Sequence, residues 1–150
     1  MKKSYLFIPV LVIIIVVSCF GNALAAQPVG GDEPNASLYL DSYAVDLIAM
    51  GNGQMAVEMD VNATGYMSKI GVYSLYIEHK INGVWQEYDT VYGLFHSDFY
   101  DYNNYTYLGE YFFNGIAGRQ YRVTMTAYAS NSTGSDTGSV MSGAVTCRNP

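Results

Sequence analysis

Residues 73–90 read Tyr73-Ser74-Leu75-Tyr76-Ile77-Glu78-His79-Lys80-Ile81-Asn82-Gly83-Val84-Trp85-Gln86-Glu87-Tyr88-Asp89-Thr90. Up to Ile81, the row Tyr73, Leu75, Ile77, His79 and Ile81 alternates with Ser74, Tyr76, Glu78 and Lys80, the period of a half-buried strand. Asn82-Gly83 then separates this run from a second one. Both central residues of a type I′ turn need φ > 0, which Asn and Gly tolerate. The stretch therefore predicts a β-hairpin of strands 70–81 and 84–92. A two-residue loop would pair Ile77 with Tyr88 and Leu75 with Thr90, and would set Glu78 against Glu87, an unfavourable like-charge pair. A three-residue loop with a bulge would instead pair His79 with Glu87. The register stays open by one residue.

The same period recurs outward from the hairpin. Met55, Val57, Met59, Val61 and Ala63 alternate with Ala56, Glu58, Asp60, Asn62 and Thr64, and Tyr121, Val123, Met125 and Ala127 alternate with Arg122, Thr124, Thr126 and Tyr128. No window of comparable length sustains helical spacing. Gly51-Asn52-Gly53-Gln54 divides a strand over 38–49 from one over 55–64. The polar run from Ser130 to Ser139 reads as a loop before a last strand over 139–147. With strands over 105–113 and 120–129 the count is seven. Short strands at this spacing without helices predict an all-β fold, a two-sheet antiparallel sandwich.

The chain opens with Met1-Lys2-Lys3, an apolar run to Phe20 and the small-residue stretch Ala23-Leu24-Ala25-Ala26. That order predicts a secretory signal peptide over 1–25, cleaved after Ala25. The apolar run contains Pro9 and is shorter than the roughly 20 residues that span a bilayer. Val16-Val17-Ser18-Cys19 offers a second possibility, a lipobox that would tether the chain to a membrane through Cys19. A flexible lead-in over 26–36 and one domain over 37–150 follow. Removing Lys2 and Lys3 leaves five basic against 13 acidic residues, a mature net charge of −8. An acidic chain with no basic stripe argues against nucleic acid as a partner, and against anionic lipid beyond export. Cys147 is then the sole cysteine, so an intramolecular disulfide is excluded and the core must hold by packing.

The segment from Gly115 to Tyr121 places Gly118 in a turn and Tyr121 at the start of an alternating strand. This resembles the tyrosine corner of immunoglobulin-like sandwiches, where the phenol hydrogen-bonds back to the preceding loop. With Lys80-Ile81-Asn82-Gly83-Val84-Trp85 and Ala117-Gly118-Arg119-Gln120-Tyr121-Arg122-Val123, the layout over 36–147 resembles fibronectin-III-like or immunoglobulin-like domains. More narrowly, it is similar to small secreted proteins of Gram-positive bacteria that have no assigned function. It departs from antibody-type domains in lacking paired cysteines around a tryptophan. The resemblance implies a bacterial, secreted or cell-surface β-sandwich, and a fold of this kind specifies no activity.

The residues offer little chemistry. His79, His96 and Cys147 do not make the three or four ligands of a zinc site. Neither a Gly-x-Ser-x-Gly elbow nor a phosphate loop is present. The reading is therefore non-enzymatic, without metal or cofactor. A small hydrolase built on two carboxylates remains an alternative, and Asp98 with Asp101 leaves calcium binding open. The unusual feature is aromatic density, with 15 tyrosines in 150 residues. Phe95, Phe99, Tyr100, Tyr102 and Tyr105 fall where Gly93, Asp98, Asp101, Asn103 and Asn104 predict a loop over 95–104. These rings, with Trp85 on the hairpin, are the candidate ligand-binding residues, and Asn82, Gly83, Gly118 and Tyr121 the structural ones. The partner expected is an extracellular glycan or surface protein, neutral or cationic given the flanking acids. The alternative is an assembly protein that associates through sheet edges.

Overall fold

Period-2 patterning becomes strand along almost the whole of residues 37–149, the part of the chain that the structure, a computed structural model, describes. The signal peptide, the lipobox at Cys19 and the lead-in over 26–36 lie outside the described residues. In chain order the strands are β1 (Leu40–Gly51), β2 (Gln54–Ile81), β3 (Val84–Tyr92), β4 (Tyr100–Asn114), β5 (Gln120–Asn131), β6 (Gly134–Met141) and β7 (Val145–Thr146). Two 3-10 turns, Gly93–Phe95 and Ser97–Phe99, join β3 to β4. All pairings are antiparallel and unite the strands in one sheet.

The strands expected over 55–64 and 70–81 are a single strand, the 28-residue β2. Here the neighbours change while the chain runs on. Along its first half β2 is flanked by β1 and β4, and along its second by β5 and β3. Pairing with β1 ends at Ala63, and pairing with β4 breaks off between Asn62 and Met67. At residues 69–71, β4 and β5 overlap on opposite sides of β2. Gly71 sits in this crossing with φ +149°, and a Cβ there would collide with the Phe99 carbonyl oxygen. Only glycine allows β4 to start so close.

The hairpin takes the two-residue turn, but neither the expected pairs Ile77–Tyr88 and Leu75–Thr90 nor the alternative His79–Glu87 forms, since His79 stands opposite Gln86. Asn82 (φ 50°) and Gly83 (φ 84°) form a two-residue turn that pairs Lys80 with Trp85 and Glu78 with Glu87. A bulge then takes up one residue, so Ile77 meets Asp89 and Leu75 meets Val91. Glu78 is relieved of Glu87 by Arg122 on β5, whose Nε and Nη2 donate to its two oxygens at 2.6 and 3.0 Å. The residues expected as a loop over 130–139 instead close a second hairpin, β5 to β6, with Asn131 opposite Gly134. Asparagine, aspartate and glycine carry little strand propensity, but pairing along β5 supplies what the composition lacks. The last strand is divided in consequence into β6 and the short β7.

The sheet curls into a half-barrel around one core. Ser37 Oγ donates to Asp136 Oδ2 at 2.5 Å, and the Tyr39 hydroxyl lies 3.2 Å from that of Thr133. Tyr39 and Tyr43 rest against Gly134 and Gly138, so the start of the domain closes on the β5–β6 hairpin. Inside lie Val45 and Leu47 of β1, Met55, Val57, Leu75 and Ile77 of β2, Phe113 of β4, and Val123 and Met125 of β5.

Candidate functional site

The second 3-10 turn decides the fate of the aromatic segment. Tyr107 of β4 is buried and donates its hydroxyl to the Asp98 carbonyl at 3.0 Å, which pins the turn over the sheet. Burial pushes this phenol above its ordinary pKa, and the neighbouring Asp98 charge adds to the shift. Phe99 is thereby driven wholly into the core (0% exposed), stacked on His96 with centroids 4.9 Å apart and edge-on to Tyr111 at 5.8 Å. The loop expected over 95–104 is thus short, because β4 begins at Tyr100, and Phe99 and Tyr100 (9% exposed) are core residues. Phe95 (78%) and Tyr102 (63%) do stand in solvent.

Tyr100 forms the floor of a groove of about 400 Å³. Lys69 of β2 lies over its ring with Nζ 3.5 Å from the centroid, and 5.7 Å from that of Tyr128 on β5. The Tyr128 ring meets Tyr100 edge-on at 6.2 Å. Tyr73, Tyr92, Leu94 and Phe95 complete the walls. Tyr73 was expected in the inward row with Leu75 and Ile77. The register shift between Val72 and Ser74 turns it outward, so it is exposed and faces the groove. Leu94 (82% exposed) and Phe95 are carried out by the first 3-10 turn, directly after Tyr92 ends β3.

Of the candidate residues, the groove therefore gathers Phe95 and Tyr100. Tyr105 is half a strand away, edge-on to Tyr66 with centroids 5.5 Å apart. Trp85 sits at the turn end of the β2–β3 hairpin, with the Arg122 guanidinium 4.5 Å from its ring centre. Lys69, Tyr73, Tyr92, Leu94 and Tyr128 were not among the sequence candidates. Tyr128 carries a signal, since it ends the outward row Arg122, Thr124, Thr126; Lys69 carries none. The expectation of a neutral or cationic partner rested on the nearby acids. Within the groove itself the charged side chain is Lys69, and no described carboxylate lies within 4 Å of its ammonium.

The structural residues have defined places. Gly118 (φ +81°) makes the turn before β5, its N–H donating to the Cys147 carbonyl at 2.9 Å. The Tyr121 hydroxyl accepts the Ile116 N–H at 2.7 Å, so the ring ties β5 to the loop before it as an acceptor. His79 was expected packed or paired with Glu87. It is buried opposite Tyr121, its Nδ1 3.3 Å from Arg119 Nη1, while the Glu87 carboxylate accepts from the Thr90 hydroxyl. Among the described residues no group of three or more His, Cys, Asp or Glu could hold a metal ion, and no helix is long and apolar enough to cross a membrane. Asp101 accepts from Asn104 Nδ2 at 3.5 Å, and Asp98 lies 4.0 Å from His96.

No family model matches the chain, and no curated protein matches it. Among solved structures it is similar to a family 76 glycoside hydrolase from a bovine Bacteroides thetaiotaomicron strain, at 20% identity and a TM-score of 0.31. The match covers 69% of this chain and 20% of that enzyme, so the chain spans about a fifth of its length.

Proposed function

We propose that this chain is an exported, non-enzymatic binding domain that holds an extracellular carbohydrate in the groove around Lys69. The observation that carries the reading is the convergence of Tyr73, Tyr92, Leu94 and Phe95, all exposed, around one lysine ammonium. A monomer seldom keeps such apolar surface in water without a use for it. Tyrosine suits a sugar on two counts: its ring face packs on the C–H face of a pyranose, and its hydroxyl exchanges hydrogen bonds with the ring substituents. The Lys69 ammonium adds donors for hydroxyl oxygens.

In the same reading, the curled sheet is a two-layer sandwich of immunoglobulin-like kind. One layer comprises β1, the first half of β2 and β4; the other comprises β3, the second half of β2, β5, β6 and β7. The change of neighbours along β2 and the Tyr121 link to Ile116 support it. The basic start, apolar run and Ala23-Leu24-Ala25 support export.

The test is sedimentation of the purified protein with insoluble cell-wall polysaccharides, comparing wild type with Tyr92→Ala/Phe95→Ala. Both side chains are exposed, so folding should change by only about 0.5 kcal/mol each. Binding should fall at least about tenfold, as expected when 1.4 kcal/mol or more of stacking is removed. Unchanged binding by the double variant would overturn the reading. Concentration-dependent self-association without any glycan would favour assembly through sheet edges instead.

A further inference from the structure

The groove lies at one end of a larger surface. Residues paired directly across an antiparallel sheet share a face, and the pairings Lys80 with Trp85, Tyr76 with Thr90 and Ser74 with Tyr92 put these side chains on one side of the sheet. Across β5 the same face continues through Thr124, opposite Tyr76, and Thr126, opposite Ser74, toward Tyr128 in the groove. Trp85 and Tyr92 are thus six residues apart along β2, about 20 Å at the rise of a strand, and Tyr128 lies about 10 Å beyond. Tyr76 is exposed between them, and hydroxyl side chains separate the rings.

Along the β2–β3 hairpin the charges of this face are balanced, while the groove at its far end adds Lys69. Arg122 occupies both oxygens of Glu78 and is held against the Trp85 ring, with Lys80 Nζ 5.5 Å from the same ring. Glu87 accepts from Thr90 at 2.8 Å. The two acids and two bases cancel. Trp85 is braced by an ion pair, so little rotamer freedom is left to lose on binding.

We infer that the ligand is a linear, uncharged polysaccharide lying along β2, with the groove as one subsite and Trp85 as a second about 20 Å away. The inference rests on the carbohydrate reading of the groove. The charge-balanced hairpin stretch complements an uncharged chain, Lys69 offers donors to its hydroxyls, and rings alternating with hydroxyl rows match a polymer whose every unit offers an apolar face and hydroxyls.

The experiment is calorimetric titration of the purified protein with cello-, chito- and manno-oligosaccharides of two and six units. One six-unit series should bind at least tenfold more tightly than its two-unit counterpart. Trp85→Ala should bring the six-unit affinity down to the two-unit value and leave the two-unit affinity unchanged. Tyr76→Ser, an exposed change that spares the Trp85–Arg122 stack, should also weaken the six-unit sugar alone. Tyr92→Ala should weaken both lengths. Equal affinity for both lengths, with Trp85→Ala and Tyr76→Ser silent, would overturn the extended track and leave the groove reading standing. Tighter binding of a hexagalacturonate than of every neutral hexamer would overturn the uncharged chain. No binding to any neutral hexamer would overturn both readings.

Discussion

Two buried polar side chains show how much a single residue holds in place. Tyr121 anchors the loop before β5 by accepting the Ile116 N–H while its ring packs edge-on to Tyr88 and Phe113, with centroids 5.2 and 5.6 Å away. Tyr121→Phe keeps the ring and strands one donor, so the stability loss should be about 1 kcal/mol, read as a shift in denaturant midpoint at constant slope. His79 has its pKa lowered, first by burial and then by the Arg119 charge beside it. The folded state therefore favours the neutral ring, and the unfolded chain takes up the proton first as pH falls. Its contribution to stability is complete above about pH 6.5 and is lost as pH drops below that value toward the folded pKa. His79→Gln should flatten the stability profile just below about pH 6.5. An unchanged slope there would assign the acid sensitivity to other groups.

At the scale of the strand, pairing creates relations that the linear pattern does not display. Asp46 of β1, Glu58 of β2 and Glu110 of β4 stand side by side across three strands, all exposed. Directly opposed like charges on a sheet are destabilising by a few tenths of a kcal/mol to about 1 kcal/mol. Glu58→Gln, which removes the middle charge, should raise the stability by about 0.5 kcal/mol at low salt, and the gain should shrink as added salt screens the row. Glu78 and Glu87 show the opposite outcome. They too are paired, yet Arg122 and Thr90 draw the two carboxylates to different partners. The bulge after Glu78 and the shift at Tyr73 are single-residue events with large consequences, because each moves the following side chains to the other face. The hairpin was legible from Asn82-Gly83. The bulges were not, because the interactions that select them lie on β5.

Across the whole molecule, the ends of the domain are sewn to its middle. Cys147 is buried, with Sγ 3.5 Å from the Gly53 carbonyl, and its backbone bonds Arg119 and Gly118. Its thiol should react with an aromatic disulfide reagent only through opening of the C-terminal segment, so the rate should rise steeply with denaturant, where an exposed thiol would react at once. The sequence by itself determined the all-β class, the turns at 51–54 and 82–83, the seat of Tyr121 after Gly118 and the inward rows from Met55 and Tyr121. These are local matters, set by side-chain alternation and by which residues accept positive φ. Only the tertiary structure decided that 55–64 and 70–81 are one strand, that 130–139 closes a hairpin, and that Phe99 and Tyr100 are core while Tyr73 is not. It also brought Lys69 over Tyr100 from a different strand. Whether an aromatic ring is buried depends on what pairs beside it and folds over it, and those partners lie tens of residues away, beyond the reach of any periodicity along the chain.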